Sequence, residues 1–250
     1  MTLPRQVSAE TLDGLAETDP EAMRSRRDLQ RIHRVMGTRS IVVRALRKLT
    51  ASHPSGQPLR LLELGAGDAS LLLGVARAGG KPWPPVELTL LDRQNLVSPA
   101  TLAGYAAAGW RARPLVCDVL DWAARPETAV GAATEGRWDG IVCNLFLHHF
   151  EGPQLQLLLG AIAARSARFF ACEPHRSRLA LSASHCVGLI GANRVTREDA
   201  VLSVHAGFRD QELTRIWPDA ASSWTADEYS AGLFSHCFCA VRREPDRAGR

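Results

Sequence analysis

From Arg60 onward, short apolar runs alternate with turn residues and amphipathic segments, a rhythm that predicts parallel βα units. Strands are expected at 61–64, 86–91, 115–117, 140–143 and 168–172, with helices at 69–78, 99–108, 123–133 and 153–164. Ser98-Pro99 and Gly152-Pro153 place proline at the first helical position, where its missing N–H costs nothing. Ahead of the first strand, Asp19-Pro20 opens a helix by the same rule. Ala22, Leu29, Ile32 and Met36 form its stripe and Gly37 closes it. A second helix carries Ile41, Val42, Ala45, Leu46 and Leu49. Residues 1–18 are polar and weakly periodic and read as a mobile arm or a loose first helix.

Past the fifth strand the pattern predicts a helical region over 177–190 and a capping-box-like start at Thr196 to Asp199 for a helix over 200–205. Two strands, 212–217 and 234–241, are expected to pair antiparallel, followed by a frayed charged tail from Arg242. The fold class is therefore α/β: a Rossmann-like, seven-stranded, mostly parallel sheet with helices on both faces and an antiparallel last strand. The domain organisation is an arm and helical lid over 1–55, a main domain over 56–245 with a helical insert at 177–206, and a tail over 246–250.

Composition narrows the partners. A chain of 250 residues with 46% hydrophobic and 22% charged residues supports one substantial core. The net charge of +4 is spread over scattered arginines, and the densest group, Arg24, Arg26, Arg27, Arg31 and Arg34, falls on a helix and reads as a solvated face. Nucleic acid is an unlikely partner on that ground. No apolar run approaches the ~20 residues of a membrane span, and the first residues lack a secretory core, so a cytoplasmic chain, monomer or homodimer, is expected. Six cysteines without paired spacing read as buried free thiols, and no metal site is expected. His185 and His205 read as satisfied structural histidines on helices.

The segment from Leu61 to Ser70 carries the most chemistry: an apolar strand, a turn through Gly65, Ala66 and Gly67, then an apolar helix. Glycines there let a ligand approach the backbone, and the helix N-terminus offers free N–H groups. Glu63, Asp68, Asp92 and Asp118 fall at or just beyond the carboxyl ends of the first three strands, which line one crevice in such a sheet. Those carboxylates repel a diphosphate and attract a nucleoside bearing a positive charge. Ser70 also stands where a nicotinamide site has its third glycine. A nicotinamide oxidoreductase is disfavoured accordingly.

At these residues the chain resembles the class I S-adenosylmethionine-dependent methyltransferases, of the bacterial small-molecule type, from about Arg60 to Val241. Glu63-x-Gly65-x-Gly67-x-Ala69 resembles the family's acidic GxGxG motif, departing from it at Ala69, a mild change if φ is negative there. Asp92 resembles the residue that holds the ribose hydroxyls, and Asp118 the one that meets the adenine amino group. The stretch from Trp138 through Asn144 to Phe150 resembles the fourth-strand motif beside the transferable methyl. The resemblance implies S-adenosyl-L-methionine as cofactor, bound by Glu63, Gly65, Ala66, Gly67, Asp92, Arg93, Asp118, Val119, Asn144 and Leu145.

Methyl transfer is an in-line displacement that depends on positioning and, for a weakly acidic acceptor, on deprotonation. His148, His149 and Glu173 lie at the ends of the fourth and fifth strands and are the catalytic candidates, with Arg176 and Arg178 as possible anchors for an acidic substituent. The stripe on the N-terminal helices and the insert at 177–206 read as a lid over a small, apolar acceptor, aromatic or polyketide-like, as in secondary metabolism. O-methylation is preferred over C-methylation of a quinone-type acceptor. Protein or RNA methylation and a non-catalytic S-adenosylmethionine-binding protein are the alternatives.

Overall fold

The computed structural model describes residues 3–54, 56–80, 82–125, 137–218 and 223–243. Strand β1 (Leu59–Leu64) pairs in parallel with β2 (Val86–Asp92) and β4 (Gly140–Asn144), β3 (Trp110–Val116) lies outside β2, and β5 (Arg168–Pro174) lies beside β4. A hairpin of β6 (Trp224–Ala231) and β7 (Ser235–Arg242) completes the order β3-β2-β1-β4-β5-β7-β6, with β7 antiparallel to both neighbours. This is the expected seven-stranded sheet.

The period of two along β1 sends Leu62 and Leu64 to one core layer and Leu59 and Leu61 to the other. The first layer packs Trp122 of α6 (Val119–Ala124), Leu158 and Ile162 of α7 (Gly152–Arg165) and Leu213 of α10 (Glu212–Ile216). The second packs Leu46 of α3 (Thr38–Leu49), Leu72 of α4 (Ser70–Ala76) and Tyr105 of α5 (Pro99–Ala107). Each fully buried leucine stabilises the sheet by about 1.5–3 kcal/mol. Glu63 shares the face of Leu59 and Leu61, so strand geometry drives a carboxylate into the second layer at its crevice end.

Edge strands are where the sequence misleads. The expected strand at 212–217 is helix α10, and the sixth strand begins at Trp224 instead. Only one face of β6 is covered, so polar residues such as Thr225 and Asp227 alternate with Trp224 and Ala226 and conceal the strand. Glu228 on this strand accepts hydrogen bonds from Leu213 N (3.1 Å) and Thr214 N (2.9 Å) and starts α10. The other edge, β3, likewise begins five residues before the expected apolar run.

Other boundaries move for local reasons. The helical region over 177–190 divides into α8 (Arg178–Ser184) and a 3₁₀ turn, Val187–Ile190. Helix α9 (Arg194–Ala206) starts earlier than expected because Asn193, not Thr196, is its cap. In place of the helix expected over 123–133, α6 starts at Val119 and ends at Ala124, where Arg125 turns extended; residues 126–133 lie outside the described residues, as does the tail over 246–250. Arg242 belongs to β7. His185 is exposed and Nδ1 of His205 has no hydrogen-bond partner, so neither is the satisfied core histidine expected. All six thiols are free, three of them buried, with Cys186 exposed. Among the described residues no helix is long and apolar enough to cross a membrane.

The N-terminal arm is stitched down rather than loose. Arg5 donates to the carbonyls of Ala206 (2.8 Å) and Phe150 (2.9 Å), and Asp199 accepts from Thr11 N (2.8 Å) and Leu12 N (2.9 Å) at the start of α1 (Thr11–Gly14). Helix α2 (Pro20–Met36), capped by Asp19 and closed by Gly37 at φ +67°, is bound to α9 through Asp28. Its buried carboxylate accepts from Asn193 N (2.7 Å) and Thr196 Oγ1 (3.3 Å) and pairs with Arg31 (2.7 Å). Asp28→Ala is expected to cost roughly 2–3 kcal/mol, since two buried donors lose a charged acceptor. Urea denaturation checks this.

Candidate functional site

The crevice at the carboxyl ends of β1, β2 and β4 is built around the turn after β1. Gly65 has φ +67°, and a Cβ there would intrude on the Phe146 ring that packs over the turn. Gly67 has φ +54°. Ala69 has φ +58°, so the missing third glycine is not a mild departure: a left-handed alanine costs about 1–2 kcal/mol. The strained turn is tied down by Tyr105 Oη, which donates to Ala69 O at 2.8 Å. Asp92 accepts from Gly67 N (2.8 Å) and Gln94 N (2.9 Å), joining the end of β2 to this turn. Asp68 accepts from Ser70 N (3.0 Å) and Gln30 Nε2 (2.6 Å).

Below the turn lies a cavity of about 140 Å³ lined by Glu63, Gly65, Ala66, Gly67, Asn144 and Leu145, with Arg26, Gln30 and His33 reaching in from α2. Six of the sequence-expected cofactor residues therefore meet here. Two buried acceptor oxygens, Glu63 Oε2 and Asn144 Oδ1, have no hydrogen-bond partner. Burial, then the charges of Asp68 and Asp92, raise the Glu63 pKa well above the ordinary carboxylate value. Burial lowers His33 to about 4, so its neutral Nε2 accepts from Asn144 Nδ2 at 3.2 Å.

The remaining expected residues, Asp92, Arg93, Asp118 and Val119, are not on the wall of this cavity. Asp118 caps α6 by accepting from Leu120 N at 2.7 Å, and the Val119 side chain is buried in the core. Arg93 pairs with Asp13 at 3.3 Å.

A second cavity, of about 260 Å³, shares Leu29 and Leu145 with the first. Its wall is almost wholly apolar: Ile32 and Met36 from α2, Ala180 and Ala183 from α8, Val204 from α9 and Phe234, with Ser203 among the few polar residues. Helical spacing explains the division. Arg26, Gln30 and His33 form one stripe of α2, and Leu29, Ile32 and Met36 form the stripe about 100° around.

The catalytic candidates form a buried cluster. Glu173 is wholly inaccessible, within β5, and accepts from the backbone N–H groups of Phe146 (3.1 Å), Leu147 (3.0 Å) and His148 (3.3 Å) and from His148 Nδ1 (2.9 Å). His148 also meets Glu10 through Nε2 at 3.2 Å. Burial pulls His148 down, but the two carboxylates push it up to about 9, so it is charged at neutral pH. Burial and the charge of His148 hold His149 below its usual range. Nδ1 of His149 lies 3.3 Å from Asp13. Arg176 is not an available anchor: it is buried, donates to Gly207 O at 2.6 Å and forms an ion pair with Glu212. From this cluster the arm runs to the loop after β2, where Gln94 Nε2 donates to Leu15 O (3.3 Å) and Asn95 N to Glu17 Oε1 (2.9 Å).

Sequence reasoning missed Glu10, Asp13, Gln30 and His33. The polar stripe at 26, 30 and 33 was a usable signal for the last two, whereas nothing local marks Glu10, 138 residues from His148.

Neither family models nor curated protein sequences give a match to the chain. Solved structures do. The plantazolicin methyltransferase BpumL in complex with S-adenosylhomocysteine aligns with a TM-score of 0.64 at 12% identity, covering 90% of this chain and 92% of that one. Magnesium protoporphyrin IX methyltransferase from Synechocystis PCC 6803, also with bound S-adenosylhomocysteine, aligns at 0.50 and 16% identity, covering 93% and 91%. The CurJ carbon methyltransferase aligns at 0.51 and 15% identity, covering 82% and 54%. At these identities the likeness is one of architecture, and the chain has the class I methyltransferase fold.

Proposed function

We propose that the protein transfers a methyl group from S-adenosylmethionine to a small acceptor with an apolar body, an oxygen being the acceptor atom tested first. The observation that carries this reading is the pair of unpartnered buried oxygens, Glu63 Oε2 and Asn144 Oδ1, on a cavity bounded by the glycine turn. Leaving such acceptors unpaired costs about 1–3 kcal/mol each, and a cationic donor satisfies both. The cofactor's α-ammonium is such a donor, and its carboxylate would meet Arg26, whose guanidinium bonds to Gln94 Oε1 (3.2 Å) and to the Glu17 carbonyl. Asp92 keeps lone pairs for the ribose hydroxyls, while Arg93, Asp118 and Val119 sit at the next strand ends, toward the adenine.

When bound, the cofactor supplies an electrophilic methyl on a sulfonium. The chain's own part is to hold the acceptor in line and keep water out. The apolar cavity does both, with Leu145 at its boundary with the cofactor cavity. Helices α2, α8 and α9 act as the lid. Glu173 and charged His148 are positioning residues that fix the turn after β4.

Two outcomes test this. Calorimetry with S-adenosylhomocysteine should show binding that is lost in Asp92→Ala and Gly65→Ala. It should also show proton release. Glu63 is protonated above the usual carboxylate range in the free protein, and an ammonium partner favours its ionised form, so binding expels a proton and affinity rises with pH up to about tenfold per unit until free Glu63 ionises. Heats compared in buffers of different ionisation enthalpy measure the proton, and Glu63→Gln should abolish it. Absence of binding overturns the reading. In a screen of phenols and polyketide-like acceptors with labelled cofactor, Ile32→Asp should lose methyl transfer at least ~10-fold while retaining S-adenosylhomocysteine, because a charge in the apolar wall disfavours the acceptor alone.

A further inference from the structure

Glu10, His148 and His149 bring three potential ligand atoms within 4.8 Å of one another. Oε1 of Glu10 and Nε2 of His148 are 3.2 Å apart. Two ligands at about 2.1 Å from one ion and at near-tetrahedral angles stand about 3.4 Å apart, so this pair already has chelating separation. A second, independent feature supports the same chemistry. Glu173, with no exposure of its own, accepts from Nδ1 of His148 at 2.9 Å. A carboxylate on the far nitrogen keeps the proton on Nδ1, so an ion that displaces the Nε2 proton shared with Glu10 meets the Nε2 lone pair, the support that metal-bound imidazoles use. His149 is held in the same way, with Asp13 at 3.3 Å from its Nδ1 and its ring centre 4.2 Å from that of His148.

We propose that Glu10, His148 and His149 form a binding site for a divalent transition-metal ion, with Glu173 as its outer support. Two imidazoles and one carboxylate suit Zn²⁺, Fe²⁺ or Co²⁺ better than Ca²⁺ or Mg²⁺, which favour oxygen ligands throughout. Glu10 also accepts a hydrogen bond from Ser203 Oγ, and Ser203 lines the apolar cavity. The ion therefore sits one side chain behind the acceptor's wall. Its role there, and this alone rests on the methyl-transfer reading, is to fix Glu10 and, through it, the Ser203 side chain on the acceptor's wall.

The test is a titration of the chelator-stripped full chain with Co²⁺, followed by visible absorption. One equivalent should give the d–d bands of a low-coordinate nitrogen and oxygen site, and Zn²⁺ should displace them. Glu10→Gln and His149→Gln should each weaken binding at least ~10-fold, whereas Cys186→Ser, at the exposed thiol, should leave it unchanged. Circular dichroism and S-adenosylhomocysteine binding on every variant establish that it folds. No saturable bands in the wild type, or unaltered affinity in both ligand variants, overturns the site. Cofactor binding without cobalt binding removes the metal alone, and cobalt binding without cofactor binding removes the methyltransferase reading alone.

Discussion

The Glu173 carboxylate holds this site in shape. It lies in β5, the strand beside β4, yet its oxygens accept from three successive backbone N–H groups after β4 and from the His148 ring. Hydrogen bonds to a charged group contribute about 1.5–3 kcal/mol each, enough to hold a turn in which Leu145 has φ +49°. That turn sets the rest. It lays Phe146 against Gly65, puts Leu145 between the two cavities and aims His148 at Glu10. A residue that reads in sequence as a catalytic candidate, to orient or deprotonate an acceptor, holds the turn after β4 in the fold.

Charge around the glycine turn follows from the same economy of position. Strand alternation delivers Glu63 into the interior, and Asp68 and Asp92 add negative potential around it. The chain accepts this strain in a cavity that also carries an unpartnered Asn144 oxygen. Helix α2 supplies the opposing wall with two stripes of different chemistry, one on each cavity. Because the helix is anchored to α9 by a buried carboxylate, anything that shifts its polar stripe shifts its apolar stripe as well. In the proposed reading, cofactor and acceptor are sensed by a single rigid element.

How much of this was legible depended on the range of the interactions. The β1 turn, Asp92 and the βα rhythm are local patterns, and the structure has them where the sequence placed them. Edge strands β3 and β6 were misjudged because half their surface is wet and their residues need not be apolar. Ala69 looked mild because a sequence does not display the sign of φ. The arm looked loose because its partners are remote: Asp199 lies 188 residues from Thr11, and Glu10 reaches His148 across the crevice. Such contacts carry no periodicity to read.

The arm also differs from the sheet in what holds it. Since β1 lies between β2 and β4, a segment fixed to His148 at one end and to the loop after β2 at the other spans the carboxyl end of β1. At the β2 end its ties are a half-exposed pair, Arg93 with Asp13, and a few amide contacts; exposed ion pairs contribute only about 0–1 kcal/mol. At the β4 end the ties are buried and charged. The weakest contiguous set of contacts along the arm is therefore at the β2 end, and the firmest is at Glu10. At that firm end one side chain, Glu10, joins His148 to Ser203 on the wall of the apolar cavity.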